Sequence, residues 1–170
     1  YVGSQIDSYF NWQNYEGLSS VYDPNYLFGG AVYDKGSIVL DMLRTYLGDD
    51  AFFTSVQNYV DSYAHGVATT SDLVEEVSQV AGEDMQWFFD QWVYRAGDPE
   101  ISTGWTSTEL SDGSIQVDIR VEQETDELWQ FPLTLRWRSG STMIEEVVWV
   151  DTEEVTFTFC SDTGPTGLQV

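Results

Sequence analysis

Basic residues are scarce in this sequence of 170 residues, which has one lysine and five arginines against 29 acidic residues, for a formal net charge of −23. The excess of acidic residues is spread evenly along the chain. Residues 1–99 contain 15 acidic and three basic residues, and residues 100–170 contain 14 and three. An acidic tail is therefore excluded. Such a surface repels phosphate backbones, which argues against nucleic acid as a partner. A saline habitat or a need for solubility accounts for the bias more simply than a store of bound cations.

Cysteine and histidine occur once each. Cys160 has no partner for a disulfide within the chain, and its position in an alternating apolar strand predicts a buried thiol. His65 comes just after a predicted helix, where an imidazole favours the helix C-terminus. With one of each, neither HExxH nor a cysteine-rich set can form, so we predict no metal site in this chain.

Other catalytic patterns are missing or unspecific. The sequence has no GxSxG elbow, no phosphate-binding GK[ST] loop and no EF-hand spacing. Paired carboxylates for glycosidase chemistry stay open among 29 acids, although no pair stands out.

Long apolar runs are also missing, since none approaches the ~20 residues that cross a bilayer. No signal peptide is recognisable, and Tyr1 in place of Met suggests that the natural N-terminus has been removed. The compartment is therefore left open. Apolar residues nevertheless make up 42% of the chain and aromatic residues 15%, which is typical of a globular protein with a sizeable core.

Apolar residues recur at helical spacing in four stretches between residues 36 and 97, and each stretch is followed by a glycine. Residues 69–72, TTSD, supply an N-terminal capping signal for the third stretch. Residues 1–32 keep no clean period and predict an irregular segment that packs on something else. The helical positions are Ile38, Val39, Met42, Leu43, Tyr46 and Leu47; Phe52, Phe53, Val56, Tyr59, Val60 and Tyr63; Leu73, Val74, Val77 and Val80; and Met85, Phe88, Phe89, Trp92 and Val93.

After Pro99 the period falls to two, with strands predicted near residues 115–121, 131–137, 143–150 and 154–160. Asp112–Gly113 is a hairpin signal. The fold class is therefore α+β and multi-domain: an irregular N-terminal segment and a helical bundle (1–99), followed by an antiparallel β-sandwich (100–170). The chain ends in a Gly- and Pro-containing stretch, which also fits a sandwich whose last strands are missing.

Tyr33 is the residue we expect to carry chemistry. It opens the stretch YDKG (33–36) directly before a predicted helix, where its phenol could donate a hydrogen bond to a developing oxyanion. A tyrosine at a helix start is more often a packing residue, and Asp34 can simply stabilise the helix N-terminus. Lys35, the one lysine, has no role that the spacing indicates.

Residues 29–101 resemble the C-terminal half of the catalytic domain of the M1 family of zinc aminopeptidases. The resemblance rests on five motifs in order: YDKG (33–36), VLDML (39–43), GDDAFF (48–53), ATTSDL (68–73) and FFDQWVYRAGDPEI (88–101). For 102–170 only the general architecture is similar, since the last motif leads into a β-sandwich in that family.

The resemblance implies that the tyrosine of the YxKG motif, here Tyr33, donates its hydroxyl to the oxyanion of the tetrahedral intermediate. It also implies Zn²⁺ held by HExxH and a glutamate, a peptide substrate, and the remainder of the catalytic domain packed on residues 1–99. The zinc ligands and the amine-recognition loop precede the tyrosine in that family and are not found in 1–32. We therefore expect a fragment that holds no catalytic zinc and is inactive alone; the substrate-binding residues are unknown.

Two alternatives remain. The parent protein could be a non-catalytic relative that uses the same fold as a scaffold for partners. The chain could also be a self-contained acidic binding module, which would bury the aromatic residues of 1–32.

Overall fold

The computed structural model describes residues 2–170, and its order is helices first and strands second. This arrangement confirms the α+β class. Two five-residue π-helical turns, Ala31–Lys35 and Asp90–Tyr94, lead into α2 and follow α5. The helices are α1 (Val2–Glu16), α2 (Gly36–Leu47), α3 (Asp49–Tyr63), α4 (Thr70–Ala81) and α5 (Gln86–Phe89). The strands are β1 (Ile101–Glu109), β2 (Ile115–Gln123), β3 (Phe131–Ser139), β4 (Thr142–Val150), β5 (Glu154–Ser161) and β6 (Pro165–Gln169).

The chain divides into two compact units, the first ending at Gly97 and the second running over Asp98–Val170. In the helical unit, α2 contacts α1 and α3, and α3 contacts α4. Its buried side chains include those of Val39, Leu43, Val77 and Phe88. Within residues 2–170, no helix has the length and apolar character needed to span a membrane.

The helix ends follow the predicted signals. Gly48 and Gly82 follow α2 and α4 with φ angles of 78° and 74°, a conformation in which glycine is favoured. Thr69 precedes α4 and forms a reciprocal capping box with Asp72. His65 lies two residues beyond the end of α3 and is exposed. Its φ of 65° is left-handed, a backbone conformation that is common just after helix C-termini.

The prediction of an irregular segment over residues 1–32 is wrong for residues 2–16, which form α1. The helix lacks an apolar stripe because its inward face is mostly polar: Gln5, Ser8, Gln13 and Glu16 are half-buried around the buried Tyr9. Its large apolar side chains are instead exposed, including Phe10 and Trp12. The usual periodicity argument depends on an apolar face and cannot detect such a helix.

The second unit is a sandwich of two three-stranded antiparallel sheets, ordered β1-β2-β5 and β4-β3-β6. Its core joins Val117 and Ile119 of one sheet to Leu135 and Trp137 of the other. The first and last strands along the chain, β1 and β6, were not predicted from the sequence. In β1 the exposed Thr103, Trp105 and Ser107 give no apolar alternation that would mark a strand.

The prediction that Cys160 is buried is wrong, since its side chain is exposed. In β5, Val155, Phe157 and Phe159 point inward, so the two-residue period of the strand turns Cys160 to the outer face with Thr156 and Thr158. There it pairs in register with Gln116 of β2.

Candidate functional site

The candidate site is built on the π-helical turn Ala31–Lys35, which runs without interruption into α2. The carbonyl oxygen of Gly29 accepts hydrogen bonds from the backbone N–H groups of both Val32 and Tyr33, at 3.2 Å each. A π turn of this kind is uncommon and is often found at functional sites. The π turn therefore makes the start of α2 a candidate for a functional site.

Tyr33 has 59% of its surface exposed, although Ala31 and Lys35 on the same turn are buried. A tyrosine that serves only in packing would be covered by neighbouring side chains. Within residues 2–170, the side chain of Tyr33 is not covered. The side chain of Tyr33 is therefore accessible from outside the turn.

Asp34 connects this turn to α1. Its carboxylate Oδ2 accepts a hydrogen bond from Ser8 Oγ at 2.8 Å, and its carbonyl oxygen accepts one from Ser37 Oγ, also at 2.8 Å. The first contact joins residues 26 positions apart, so it fixes the turn against a neighbouring helix rather than within its own.

Lys35 is only 2% exposed. Its Nζ donates a hydrogen bond to the carbonyl oxygen of Gly97 at 2.6 Å and lies 5.6 Å from the centroid of the Tyr9 ring. The distance to the ring is within the range of cation–π attraction. The single lysine of this acidic chain is thus an interior residue that joins the turn to α1 and to the end of the helical unit.

Gly29 and Gly30 let α1 approach the turn closely. A methyl group at Gly29 would overlap the carboxylate of Glu16, and one at Gly30 would lie 2.5 Å from Trp12 Cβ. Beside this contact is an open hollow of about 410 Å³, lined by Trp12, Tyr15 and Glu16 of α1 and by Tyr26–Gly29. Tyr15 and Phe28 are 87% and 82% exposed.

The residues present do not fit a zinc site. Among residues 2–170, no three histidine, cysteine, aspartate or glutamate side chains come close enough to hold a metal ion. His65 and Cys160 are both exposed and belong to different units.

Tyr33 was predicted as a site residue from the sequence, whereas the residues that hold its turn were not predicted. Ser8 and Tyr9 lie in the segment predicted to be irregular, and Gly97 was interpreted only as a helix stop. The one available signal was the lone lysine at position 35, whose retention in so acidic a chain indicates a specific use.

The fold has a counterpart among solved structures. The structure is similar to the crystal structure of Legionella pneumophila aminopeptidase A in complex with aspartic acid, with a TM-score of 0.69 and 22% identity, over 82% of this chain and 16% of that one. At this identity the likeness establishes the fold alone.

The sequence comparisons then give the family. Aminopeptidase N of Lactococcus lactis subsp. lactis is 32% identical over 114 residues, which are 66% of this chain and 13% of that protein. Aminopeptidase 2 of Candida albicans is 36% identical over 93 residues, 55% of this chain and 10% of that protein. The sequence pattern of the Peptidase family M1 domain matches residues 3–92. The chain belongs to peptidase family M1, and it spans less than a sixth of the length of these two relatives.

Proposed function

We propose that this chain is the C-terminal part of the catalytic domain, with the following sandwich, of an M1 aminopeptidase that removes N-terminal residues from peptides. In this proposal residues 1–99 form one wall of the active-site cleft and residues 100–170 the sandwich domain. The zinc ion that such a reaction uses is held by other residues of the longer protein. Family membership and the small share of each relative that the chain covers support the proposal.

Tyr33 is the catalytic residue that we assign to this chain. The observation that carries the assignment is an exposed phenol on a turn in which the next two side chains are fixed: Asp34 by Ser8, and Lys35 by Gly97. A hydroxyl held in this way is a preorganised donor for the oxyanion of a tetrahedral intermediate, because little reorganisation is needed when the charge develops.

The exposed aromatic residues support a contact with the remainder of the catalytic domain. Leu27 and Phe28 are 71% and 82% exposed, and Tyr15 is 87% exposed, which is unusual for side chains grouped around one hollow. A self-contained binding module would bury these side chains. Their exposure therefore counts against that alternative and favours a chain that works as part of a larger body.

The test is hydrolysis of a panel of aminoacyl-coumarin substrates by the full reading frame that encodes this chain, with Tyr33→Phe beside it. We expect the variant to lose about 10²–10³ in kcat, the usual effect of removing one oxyanion donor, with little change in KM. Tyr22→Phe is the matched control, because Tyr22 is 62% exposed and its ring contact with Tyr94 survives the change.

Three outcomes decide the proposal. An active, chelator-sensitive protein with an impaired Tyr33→Phe variant supports it. A protein that stays inert with zinc added favours the scaffold alternative, and Tyr33 is then an ordinary surface aromatic. The 170-residue chain alone is expected to hydrolyse none of the substrates. If it did, the proposal that the zinc ligands lie elsewhere in a longer protein would be wrong.

A further inference from the structure

The contact of Lys35 with Gly97 supports the catalytic assignment, but it does not explain why a charged side chain is buried at this position. In a chain with so few bases, the one lysine is withdrawn from solvent to 2% exposure. Removing an ammonium group from water is costly and is tolerated only where contacts replace the lost hydration. A side chain used only to balance surface charge would remain exposed, so Lys35 has a task inside the fold.

The contacts of Lys35 join three parts of the helical unit. Nζ donates to the carbonyl oxygen of Gly97, 62 positions along the chain, and it lies over the ring of Tyr9 in α1. A hydrogen bond from a charged donor is stronger than one between neutral groups. The turn Ala31–Lys35 is therefore fastened at its last residue to both the first helix and the end of the unit.

The geometry of the turn explains why this fastening matters for Tyr33. A π turn carries one residue more than an α-helical turn, and each residue of an α-helix rotates the chain by roughly 100° about the helix axis. If the turn relaxed to the ordinary winding, the side chain of Tyr33 would point in a different direction. Keeping the extra residue in place requires contacts at both ends of the turn. Lys35 provides those at its C-terminal end.

We infer that Lys35 is a positioning residue, which acts through the π turn to hold the hydroxyl of Tyr33 in its productive direction. This inference rests on the proposed function of Tyr33. Lys35 itself touches no substrate, since it is buried beneath the turn. Its effect is on the placement of the donor, and a displacement of about 1 Å in a catalytic group can cost as much as 10²-fold in rate.

The experiment is a double-mutant cycle in the full reading frame, with Lys35→Met made in the native background and in the Tyr33→Phe background. We expect Lys35→Met to lower kcat at least tenfold with KM unchanged where Tyr33 is present, and less than twofold where it is absent. Arg44→Met is the matched control, because it removes a cation from the following helix, one paired at the surface with Asp49. It is expected to leave kcat unchanged.

A second measurement reports the position of the ring without relying on turnover. With 3-fluorotyrosine placed at position 33 alone, Lys35→Met should shift or broaden its ¹⁹F signal, whereas Arg44→Met should not. If Lys35→Met does not fold, Tyr9→Leu removes the ring beneath the ammonium group and is expected to act in the same direction more weakly.

The outcomes separate the two proposals. If Tyr33→Phe keeps full activity, the assignment of Tyr33 is wrong, and the inference about Lys35 falls with it. If Tyr33→Phe is impaired and Lys35→Met lowers kcat equally in both backgrounds, or lowers only thermal stability with the ¹⁹F signal unmoved, Lys35 is a structural residue and only the further inference is overturned.

Discussion

Gly30 is a residue at which α1 lies close to the chain that enters the turn Ala31–Lys35. A Cβ atom there would lie 2.5 Å from Trp12 Cβ, an atom that cannot swing away because it is bonded to the backbone of α1. Gly30→Ala must therefore separate α1 from the turn. We expect it to lower the free energy of unfolding by about 1–3 kcal/mol, the usual cost of overpacking.

Urea unfolding of the chain measures this cost, with two further variants for comparison. Gly29→Ala should be milder, because its new methyl group meets the far end of the Glu16 side chain, which is separated from the backbone by more rotatable bonds than Trp12 Cβ is. Gly3→Ala, which is in α1 itself and has nothing within 4 Å of the new atom, should be neutral or slightly stabilising. Equal losses at positions 3 and 30 would show that the close approach is not what Gly30 provides.

At the scale of the residue, the sequence singled out Tyr33 and Lys35 but not the buried contacts that Lys35 makes. Tyr33 could be proposed because the YDKG motif is contiguous. The partners of Lys35 could not, because Gly97 contributes only a carbonyl oxygen, which every residue possesses. Contacts that use backbone atoms across 62 positions have no sequence signature.

At the scale of the element, the capping box of α4 connects stability to pH. The side chain and backbone N–H of Thr69 both donate to Asp72 Oδ2 at 2.7 Å, and these hydrogen bonds hold the pKa of Asp72 below its usual value of 3.8. Because the pKa of Asp72 is lower in the folded state, the ionised carboxylate stabilises the fold fully above pH 3.8. This stabilisation is lost as the pH falls through the folded pKa.

We therefore expect Asp72→Asn to be less stable than the native chain at pH 6, and the difference to shrink below about pH 3.8. Urea unfolding at about pH 6, 4 and 2.5 measures it. Thr69→Ser keeps the hydroxyl and should behave as the native chain does, whereas Thr69→Ala should lose about 1 kcal/mol at pH 6. A difference that stays constant down to the lowest pH would show that the ionised carboxylate is not its source.

The same scale shows why some elements were predictable and others were not. The boundaries of α2, α3 and α4 follow from apolar period, capping residues and glycine stops, which are local signals. Helix α1 was missed because its buried face bonds through polar groups, such as Ser8 to Asp34, instead of excluding water. Strand β1 was missed because both of its faces are largely exposed.

At the scale of the whole molecule, charge repulsion should make the fold dependent on salt. The ion pairs of Arg44, Arg120 and Arg136 are exposed and contribute little each, about 0–1 kcal/mol. Repulsion among 29 acidic residues acts everywhere on the surface. Salt screens both, since the Debye length falls from about 10 Å at 0.1 M to about 3 Å at 1 M. Because 29 acidic residues face only six basic ones, we expect repulsion to outweigh the ion pairs and screening to stabilise the chain.

Thermal unfolding in NaCl between about 0.1 and 1 M tests this expectation. Each 1 kcal/mol of relieved repulsion raises Tm by roughly 2–4 °C when the whole chain unfolds in one transition and by roughly 4–8 °C when each unit unfolds separately, so we expect an increase of several degrees. Because the two units carry nearly equal excess charge, separate transitions should shift together. Near pH 4.1, the isoelectric point, the net repulsion is gone and the same salt should have little effect. An equal increase at both pH values would assign the stabilisation to a general effect of salt on apolar surface instead of charge.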